Sequence, residues 1–315
     1  MACMTNTTSG ARAASGPQFT LTRGGATAIV ASLAAGLRHY DRGGVDLVEG
    51  YGRGEIAPGA AGITLAPFAN RIDGGRWELD GAPQQLDITE VRRNNAIHGL
   101  LRNTGYAALD SSDHHVVLEA TIHPQHGYPF LARHEVRYEL TADGALRVAQ
   151  TLVNDSPRRA PFVLGAHPYF RLGDTAPEQL RITLDAASYL AANDRMIPTQ
   201  TVPVDAAHDL RGGRLLPDVL MDTAFTDLAA GGIPPRDGAT SATLSAPDGR
   251  SVSLWHDDSV SFVHVFVTAN FPGRTLAVAM EPMTGPANAF NSGDGLQWLE
   301  PGEPFTMRWG IDAAL

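Results

Sequence analysis

The chain has 315 residues, a net charge of −10 and a single cysteine, Cys3. All 24 basic residues are arginine, and without lysine neither a Schiff-base enzyme nor a Walker-type nucleotide loop is possible. One cysteine excludes an internal disulfide framework and a cysteine-rich zinc site. The acidic balance is unfavourable for nucleic acid and for an anionic membrane surface, so we expect neither as a partner.

The N-terminal stretch MACMTNTTSGARAASGPQ has no basic segment followed by an apolar one, and so does not resemble a secretory signal. We predict a disordered tail over residues 1–17. No linker or composition shift divides the remainder, which predicts a single domain over residues 18–315. The absence of a targeting signal predicts a cytoplasmic location, and we expect a monomer or homodimer.

Alternation of apolar and polar residues recurs along the chain between turn signals. The stretches RWELDGAPQQL, HEVRYELTADGALRVAQTLV and ATLSAPDGRSVSLW each contain two alternating runs joined by an Asp-Gly pair, which predicts three β-hairpins. SFVHVFVTAN, TLAVAMEP and FTMRWGI predict further strands toward the C-terminus. This pattern predicts an all-β protein, an antiparallel sandwich or barrel.

Five segments carry polar side chains among glycine, proline and aromatic residues, as expected of functional loops on a rigid β-scaffold. They are FANRIDGG with Asn70 and Arg71, NAIHGLLRNTGY with His98, GAHPYF with His167, LMDTAFTDL with Asp222, and MEPMTGPANAFN with Glu281. Each residue taken alone also has an ordinary structural interpretation, such as a turn former, a surface ion pair or a core histidine.

Glu281 and His167 are the strongest catalytic candidates. Glu281 is predicted to end the apolar strand TLAVAM, directly before Pro282. A carboxylate at the mouth of a strand has a raised pKa unless it is paired, which suits a general base. His167 is either a core histidine satisfied by the backbone or a group that moves a proton on a bound substrate.

Metal and nucleotide chemistry receive little support. His123, His126 and His134 lie close in sequence, but the prolines and glycine among them disfavour the helix that would bring them together. No dinucleotide fingerprint, phosphate loop or serine nucleophile motif is found. We therefore expect neither a metal nor another cofactor.

The order and wording of these segments resemble the aldose 1-epimerase (galactose mutarotase) family, and its bacterial branch in particular. The shared pattern runs NRI, a DG hairpin, N-x-I-H-G, HGYPF, HPYF, an aspartate before AF, EP-x-T-x-P-x-N-A-F-N and a terminal W-G-I. It covers nearly the whole chain. The resemblance implies a large twisted antiparallel β-sandwich and interconversion of the α and β anomers of free aldoses, with no cofactor.

The resemblance also implies a role for each candidate. Glu281 would be the base and His167 the acid that protonates the ring oxygen. The sugar-binding residues would be His98, Arg71, Asn70 and Asp222. Arg171 stands where the family's usual wording has asparagine, which leaves the preferred sugar open.

Ring opening requires an ionised carboxylate near the anomeric hydroxyl and a protonated acid near the ring oxygen. Ordinary pKa values of about 4.3 for Glu281 and about 6.5 for His167 allow both forms between about pH 5 and 6.5. A nearby carboxylate is expected to raise the pKa of His167 and to extend this window toward neutral pH. Phe68 or Tyr169 could stack on the sugar.

Three alternatives stay open at this point. One is epimerisation of a phosphorylated hexose, with Arg171, Arg102 or Arg53 as the anion clamp. Another is a sugar-binding module with little turnover. The third is glycoside hydrolysis by Glu281 and Asp222, which would need their carboxyl groups about 5–9.5 Å apart.

Overall fold

A computed structural model of the chain describes residues 13–228 and 239–315. Residues 1–12 of the predicted tail lie outside the described residues. The end of that segment, residues 13–17, is held in place: Ser15 is buried, and its hydroxyl donates to the carbonyl oxygen of Arg53 at 3.2 Å. The backbone of Ser15 and Pro17 also accepts hydrogen bonds from Leu33 and Ser32, so order begins before the first strand.

Within the described ranges, the chain forms 27 strands, one short α-helix and four 3-10 segments. The strands of the first half are β1 (Gln18–Arg23), β2 (Ala26–Ala31), β3 (Gly36–Arg42), β4 (Val45–Asp46), β5 (Thr64–Leu65), β6 (Arg71–Asp73), β7 (Arg76–Leu79), β8 (Ala82–Gln85), β9 (Asn95–Ile97), β10 (Ala107–Ser111), β11 (His115–Ile122), β12 (Ala132–Leu140) and β13 (Leu146–Asn154).

The strands of the second half are β14 (Ala160–Phe162), β15 (Gly165–Ala166), β16 (Tyr169–Phe170), β17 (Arg181–Leu184), β18 (Ala186–Ala192), β19 (Pro198–Pro203), β20 (Arg214–Leu215), β21 (Asp222–Leu228), β22 (Ala239–Ser245), β23 (Ser251–His256), β24 (Phe262–Thr268), β25 (Ala277–Met283), β26 (Gln297–Leu299) and β27 (Pro304–Ala314). The helix α1 spans Ala289–Ser292, and the 3-10 segments span Pro58–Ala60, Val91–Arg93, Pro177–Gln179 and Leu216–Asp218.

The three predicted Asp-Gly hairpins are confirmed as β7–β8, β12–β13 and β22–β23, and the three predicted C-terminal strands are confirmed as β24, β25 and β27. In β12 and β13 every second side chain is buried, as alternation on a half-buried sheet requires. Local sequence signals therefore define these elements well.

Two large antiparallel sheets dominate the described part of the chain. One has the strand order β10-β11-β12-β13-β27-β23-β22-β17-β20, and the other has the order β19-β18-β21-β24-β25-β15-β5, with β16 also paired to β25. A four-stranded sheet, β1 to β4, packs on β11 and β12. The predicted all-β class is confirmed.

One hydrophobic core joins the two large sheets. Val148 and Trp309 from the first sheet belong to the same buried cluster as Val265 and Met280 from the second. This shared core makes the two sheets the layers of a β-sandwich. Among the described residues, no helix combines the length and apolar character needed to cross a membrane.

The backbone at Gly99 brings the segment after β9 into close contact with the segment after β5. Its φ is +77°, and a Cβ atom built there would lie 2.1 Å from the carbonyl oxygen of Ala66. The next amide, from Leu100, donates to the same oxygen at 2.8 Å. Only glycine fits both this conformation and this approach.

We expect Gly99→Ala to lower the free energy of unfolding by about 2–4 kcal/mol, because left-handed strain and overpacking add. Gly249→Ala is the matched control, since Gly249 has φ +91° but open space around its Cα. Gly249→Ala should lower the free energy of unfolding by only about 1 kcal/mol. Urea unfolding of both variants measures the difference, and equal losses would contradict the steric explanation.

Candidate active site

The candidate site is centred on Glu281 in β25, and strand register explains which residues surround it. His264 in β24 is directly opposite Glu281, so their side chains share one face of the sheet. Asp222 in β21 lies on the same face, two residues along from the partner of His264. The strands on either side of His167, β15 and β16, pair with β25 on either side of Glu281. The GAHPYF segment therefore sets His167 against Glu281.

The predicted position of Glu281 at the end of its strand is wrong. The strand β25 continues through Pro282 to Met283, because Met283 pairs with Phe262 on one side and with Gly165 on the other. Glu281 therefore lies inside the sheet, with 2% of its surface exposed.

A two-stranded ribbon, β6 with β9, brings Asn70 and His98 to the same cluster. Arg71 pairs with Ile97, and the residues just beyond that pair face each other, with the amide of His98 donating to the carbonyl oxygen of Asn70 at 2.9 Å. Asn70 and His98 both have positive φ, of +54° and +63°. Asn and His adopt this conformation more readily than most side chains.

The two predicted catalytic residues are in contact. Nε2 of His167 lies 3.3 Å from Oε1 of Glu281, and His167 has 4% of its surface exposed. The ring of His98 meets the ring of His167 edge to face at 5.2 Å between centroids. The ring of Tyr169 stacks on the ring of His167, also at 5.2 Å between centroids. Tyr169 is thus buried against the imidazole, and Phe68 is buried against Phe290, so both rings are committed to protein contacts.

A second polar network holds the sugar-binding candidates. Nε2 of His264 lies 2.6 Å from Oδ1 of Asp222, and Nδ2 of Asn70 lies 3.4 Å from Nδ1 of His264. Arg71 donates to Oδ1 of Asn70 at 3.1 Å and approaches Oδ2 of Asp222 at 3.6 Å. Its guanidinium also donates two hydrogen bonds to Glu90, of 2.9 and 3.1 Å. The structure therefore brings all six predicted site residues together.

Two members of this cluster were not predicted from the sequence. His264 interrupts the otherwise apolar run of β24 and is buried, which is the signal that could have identified it. Glu90 lies in an irregular segment before Val91–Arg93, and no local pattern links it to Arg71. Both supply charge or hydrogen bonds to residues that were predicted.

Burial and neighbouring charges divide the histidines into two kinds. Burial lowers the pKa of His167, and the opposing charge of Glu281 only partly offsets this effect. The charge of Glu281 acts in the expected direction, but the expected net rise in the pKa of His167 is wrong, because desolvation of the imidazolium outweighs the ion pair. Burial also lowers the pKa of His98 well below its usual value, and the charge of His167 adds to the effect.

His264 behaves in the opposite way. Burial opposes its charged form, but the hydrogen bond to Asp222 and the charge of Glu281 raise its pKa above the usual value. Burial likewise opposes ionisation of Asp222, yet the bond from His264 and the charge of Arg71 hold the pKa of that carboxyl well below its usual range. Asp222 and His264 therefore form an ion pair.

Several polar atoms of the cluster have no hydrogen-bond partner among residues 13–228 and 239–315. In the described part of the chain, nine buried side-chain nitrogen or oxygen atoms lack one, and three of these are Nδ1 of His98, Nδ1 of His167 and Oε2 of Glu281. Buried polar atoms are normally paired, so such a concentration is typical of a site that functions in binding or proton transfer.

The histidines considered for a metal do not form a common site. His126 is exposed beside Asp87, at 3.0 Å, whereas His134 is fully buried and its Nδ1 lies 2.7 Å from the hydroxyl of Tyr106. Among the residues the structure describes, no group of three or more His, Cys, Asp or Glu side chains is arranged to hold a metal ion.

Two clefts lie outside the buried cluster. One, of about 650 Å³, is lined by Asp46, Asp174 and Arg250 among others. The second, of about 750 Å³, is lined in part by Asp73 and Asn288. The amide of Asn288 donates to the carbonyl oxygen of Arg71, so this second cleft adjoins the ribbon of the site.

The chain is thus a large antiparallel β-sandwich protein with a buried polar cluster around the contact between His167 and Glu281. The family model for aldose 1-epimerase matches residues 17–311, and the chain belongs to that family. The predicted resemblance is thereby confirmed.

Individual relatives agree with this assignment. The chain is 30% identical over 299 residues to YihR, an uncharacterized protein of Escherichia coli, covering 94% of this chain and 93% of YihR. A galactose mutarotase-like protein from Clostridium acetobutylicum superimposes with a TM-score of 0.83 at 17% identity, and a galactose 1-epimerase from Lactobacillus acidophilus with 0.78 at 20% identity, each over 94% of both chains. The two structures show that the fold is galactose mutarotase-like.

We expect Asp222→Asn to lower the pKa of His264 below its value in the wild type, because burial then acts without the ion pair. The sign of the pH effect follows from the two shifts. The raised pKa of His264 stabilises the fold below about pH 6.5, and this stabilisation is lost as pH rises through the folded-state pKa. The lowered pKa of Asp222 stabilises the fold above about pH 4, and this is lost in acid.

The wild type should therefore exceed Asp222→Asn in unfolding free energy by about 1.5–3 kcal/mol near pH 5 to 6, and by less at pH 9. NMR titration of His264 and urea unfolding at several pH values test this. Asp227→Asn, an exposed aspartate in the same strand, should change stability by less than about 0.5 kcal/mol. An unchanged pKa of His264 in Asp222→Asn would contradict the ion pair.

Proposed function

We propose that the protein is an aldose 1-epimerase that interconverts the α and β anomers of free aldohexoses such as galactose or glucose, without a cofactor. The observation that carries this proposal is the 3.3 Å contact between His167 and Glu281. The anomeric hydroxyl and the ring oxygen are bonded to the same carbon, so an acid and a base that serve them must themselves be close neighbours.

The reaction needs one proton shared by this pair. In the closed sugar, ionised Glu281 takes the proton of the anomeric hydroxyl while protonated His167 gives its proton to the ring oxygen. The bond between the anomeric carbon and the ring oxygen breaks, and a carbonyl group forms. Glu281 is then protonated and His167 is neutral, and after rotation about the adjacent carbon–carbon bond the same transfers run backward and close the ring on the other face.

Burial of His167 supports this use. Because desolvation lowers its pKa, the imidazolium is a stronger acid than an ordinary histidine and gives up its proton more readily. Ring opening moves the proton of His167 to the sugar while Glu281 gains another, and ring closure reverses both transfers. The same two residues thus serve both directions of the reaction.

The surrounding residues supply sugar contacts. Asn70, Arg71 and Asp222 carry donors and acceptors suited to hydroxyl groups, and their mutual contacts fix their orientation. His98, kept neutral by burial and by the charge of His167, presents one donor and one acceptor. These four would hold the sugar while His167 and Glu281, the proton pair, transfer protons.

The contacts of Asp222 favour this proposal over glycoside hydrolysis. Hydrolysis by Glu281 and Asp222 would leave His167 without a role, and Asp222 is already paired with His264 and Arg71. A binding module would not need a buried acid beside a buried base. The cytoplasmic location and the monomeric or homodimeric state stay predictions.

We expect Glu281→Gln and His167→Asn each to lower the rate of anomer interconversion by about 10²–10⁴-fold, because each removes one proton transfer. Polarimetry on freshly dissolved α-D-galactose and α-D-glucose measures the approach to the equilibrium rotation. Both variants should keep the near-ultraviolet circular dichroism of the wild type.

Glu78→Gln is the matched control, since Glu78 is an exposed residue of β7 and loses the same charge. It should retain the wild-type rate. A wild type that folds but accelerates neither these sugars nor charged aldoses would refute the epimerase proposal. A full rate in either site variant would refute the assigned role of that residue.

A further inference from the structure

Arg102 is a half-buried cation beside the candidate site. It lies four residues after His98, and its Nη1 donates to the carbonyl oxygen of Ile97 at 3.3 Å. Ile97 directly precedes His98, so the guanidinium lies next to the backbone that carries this imidazole. The charge of Arg102 also contributes to the lowered pKa of His98.

No carboxylate of the described ranges neutralises the charge of Arg102. Among the residues that the structure describes, no aspartate or glutamate oxygen lies within 4.0 Å of its guanidinium. Burial without a counter-charge lowers its pKa, which reflects the cost of desolvating a cation. Arg71 differs, because Glu90 binds it through two hydrogen bonds and Asp222 faces it.

The other two arginines that the sequence offers as anion clamps do not meet the same conditions. Arg171 contacts the carboxylates of Asp46, Glu49 and Asp174 at 3.0, 3.9 and 3.8 Å, so its charge is already balanced. Arg53 is exposed, and a solvated surface charge discriminates weakly between ligands. Arg102 alone among these three combines partial burial with an uncompensated charge.

The position of Arg102 relative to the proton pair indicates which part of a sugar it would meet. His167 is proposed to serve the ring oxygen, the ring of His98 packs against the ring of His167, and the guanidinium of Arg102 lies beside the backbone that precedes His98. Beyond the ring oxygen, a pyranose continues to the carbon that bears the exocyclic terminal carbon. With the terminal carbon oriented toward His98, a substituent on it would meet Arg102.

We propose that the preferred substrate is an aldose whose terminal carbon carries an anionic group, and that Arg102 binds this anion. This inference rests on the proposed function, whose proton pair it leaves unchanged. A guanidinium suits the task, because it donates paired hydrogen bonds to carboxylate, phosphate or sulfate oxygens. An anion would also supply the counter-charge that the half-buried guanidinium lacks.

The test compares glucose with glucuronate, glucose 6-phosphate and glucose 6-sulfate. We expect the wild type to show a kcat/KM at least about tenfold higher for one or more of the anionic sugars, after subtraction of each uncatalysed rate. Arg102→Met should lower kcat/KM for that sugar by about 10- to 100-fold, at least about ten times more than any change with glucose. Arg102→Lys, which keeps the charge, should retain part of the preference.

Arg92→Met is the matched control, because Arg92 is an exposed arginine in the segment beside Glu90. Arg92→Met should leave kcat/KM for every sugar unchanged. If Arg102→Met does not fold, the wild type still tests the inference, since raising the salt from about 0.05 to 1 M should weaken the preference for the anion.

The outcomes separate the two proposals. Turnover of glucose equal to or faster than all three anionic sugars would overturn the anion site and leave the epimerase intact. An equal loss on neutral and charged sugars in Arg102→Met would also overturn it. If no sugar is turned over, calorimetric binding of the anionic sugars that Arg102→Met abolishes would support the anion site while the epimerase proposal fails.

Discussion

The site depends on a carboxylate buried in the middle of a central strand. An isolated charge at the position of Glu281 would cost several kcal/mol to desolvate, so the sheet must provide partners for it. Strand register provides them, with His264 opposite on β24 and His167 on the segment that pairs from the other side. The sandwich core makes this register rigid, because a slip of one residue would turn Glu281 to the other face of the sheet.

Two pairs of charged groups lie side by side, and they differ in how fully they are satisfied. Asp222 and His264 are joined by a hydrogen bond of 2.6 Å, and their pKa shifts favour the ionised pair. His167 and Glu281 are farther apart, at 3.3 Å, and each keeps a buried atom that has no hydrogen-bond partner in the described part of the chain. The first pair is suited to fix the geometry of the site, and the second is suited to exchange protons.

Much of the fold could be predicted from local sequence, since an Asp-Gly pair between two alternating runs predicts a hairpin through turn chemistry alone. The order of strands within the sheets could not, because β13 pairs with β27 across more than 150 residues and no short pattern records this contact. The six predicted site residues came from the joint order of five motifs. His264 was missed because a single histidine within an apolar strand has many structural explanations.

The direction of the pKa shift of His167 shows a related limit. Its neighbour Glu281 could be inferred from the motifs, and a carboxylate alone would raise the pKa of an imidazole. The outcome depends on how completely the pair is removed from water, which is a property of the packed sandwich. Burial therefore determines the direction of the pKa shift of His167, and the degree of burial cannot be read directly from a sequence.

The proposed proton pair and three of the four proposed sugar contacts lie on different parts of the fold. Glu281, His167 and Asp222 are fixed by the large sheet, whereas Asn70, Arg71 and His98 belong to the β6–β9 ribbon and its ends. Arg102 lies just beyond that ribbon. Under the proposed function, sugar preference would diverge through changes in this short ribbon and its loop while the acid and the base stay the same, and an exchange of this segment between relatives should transfer sugar preference.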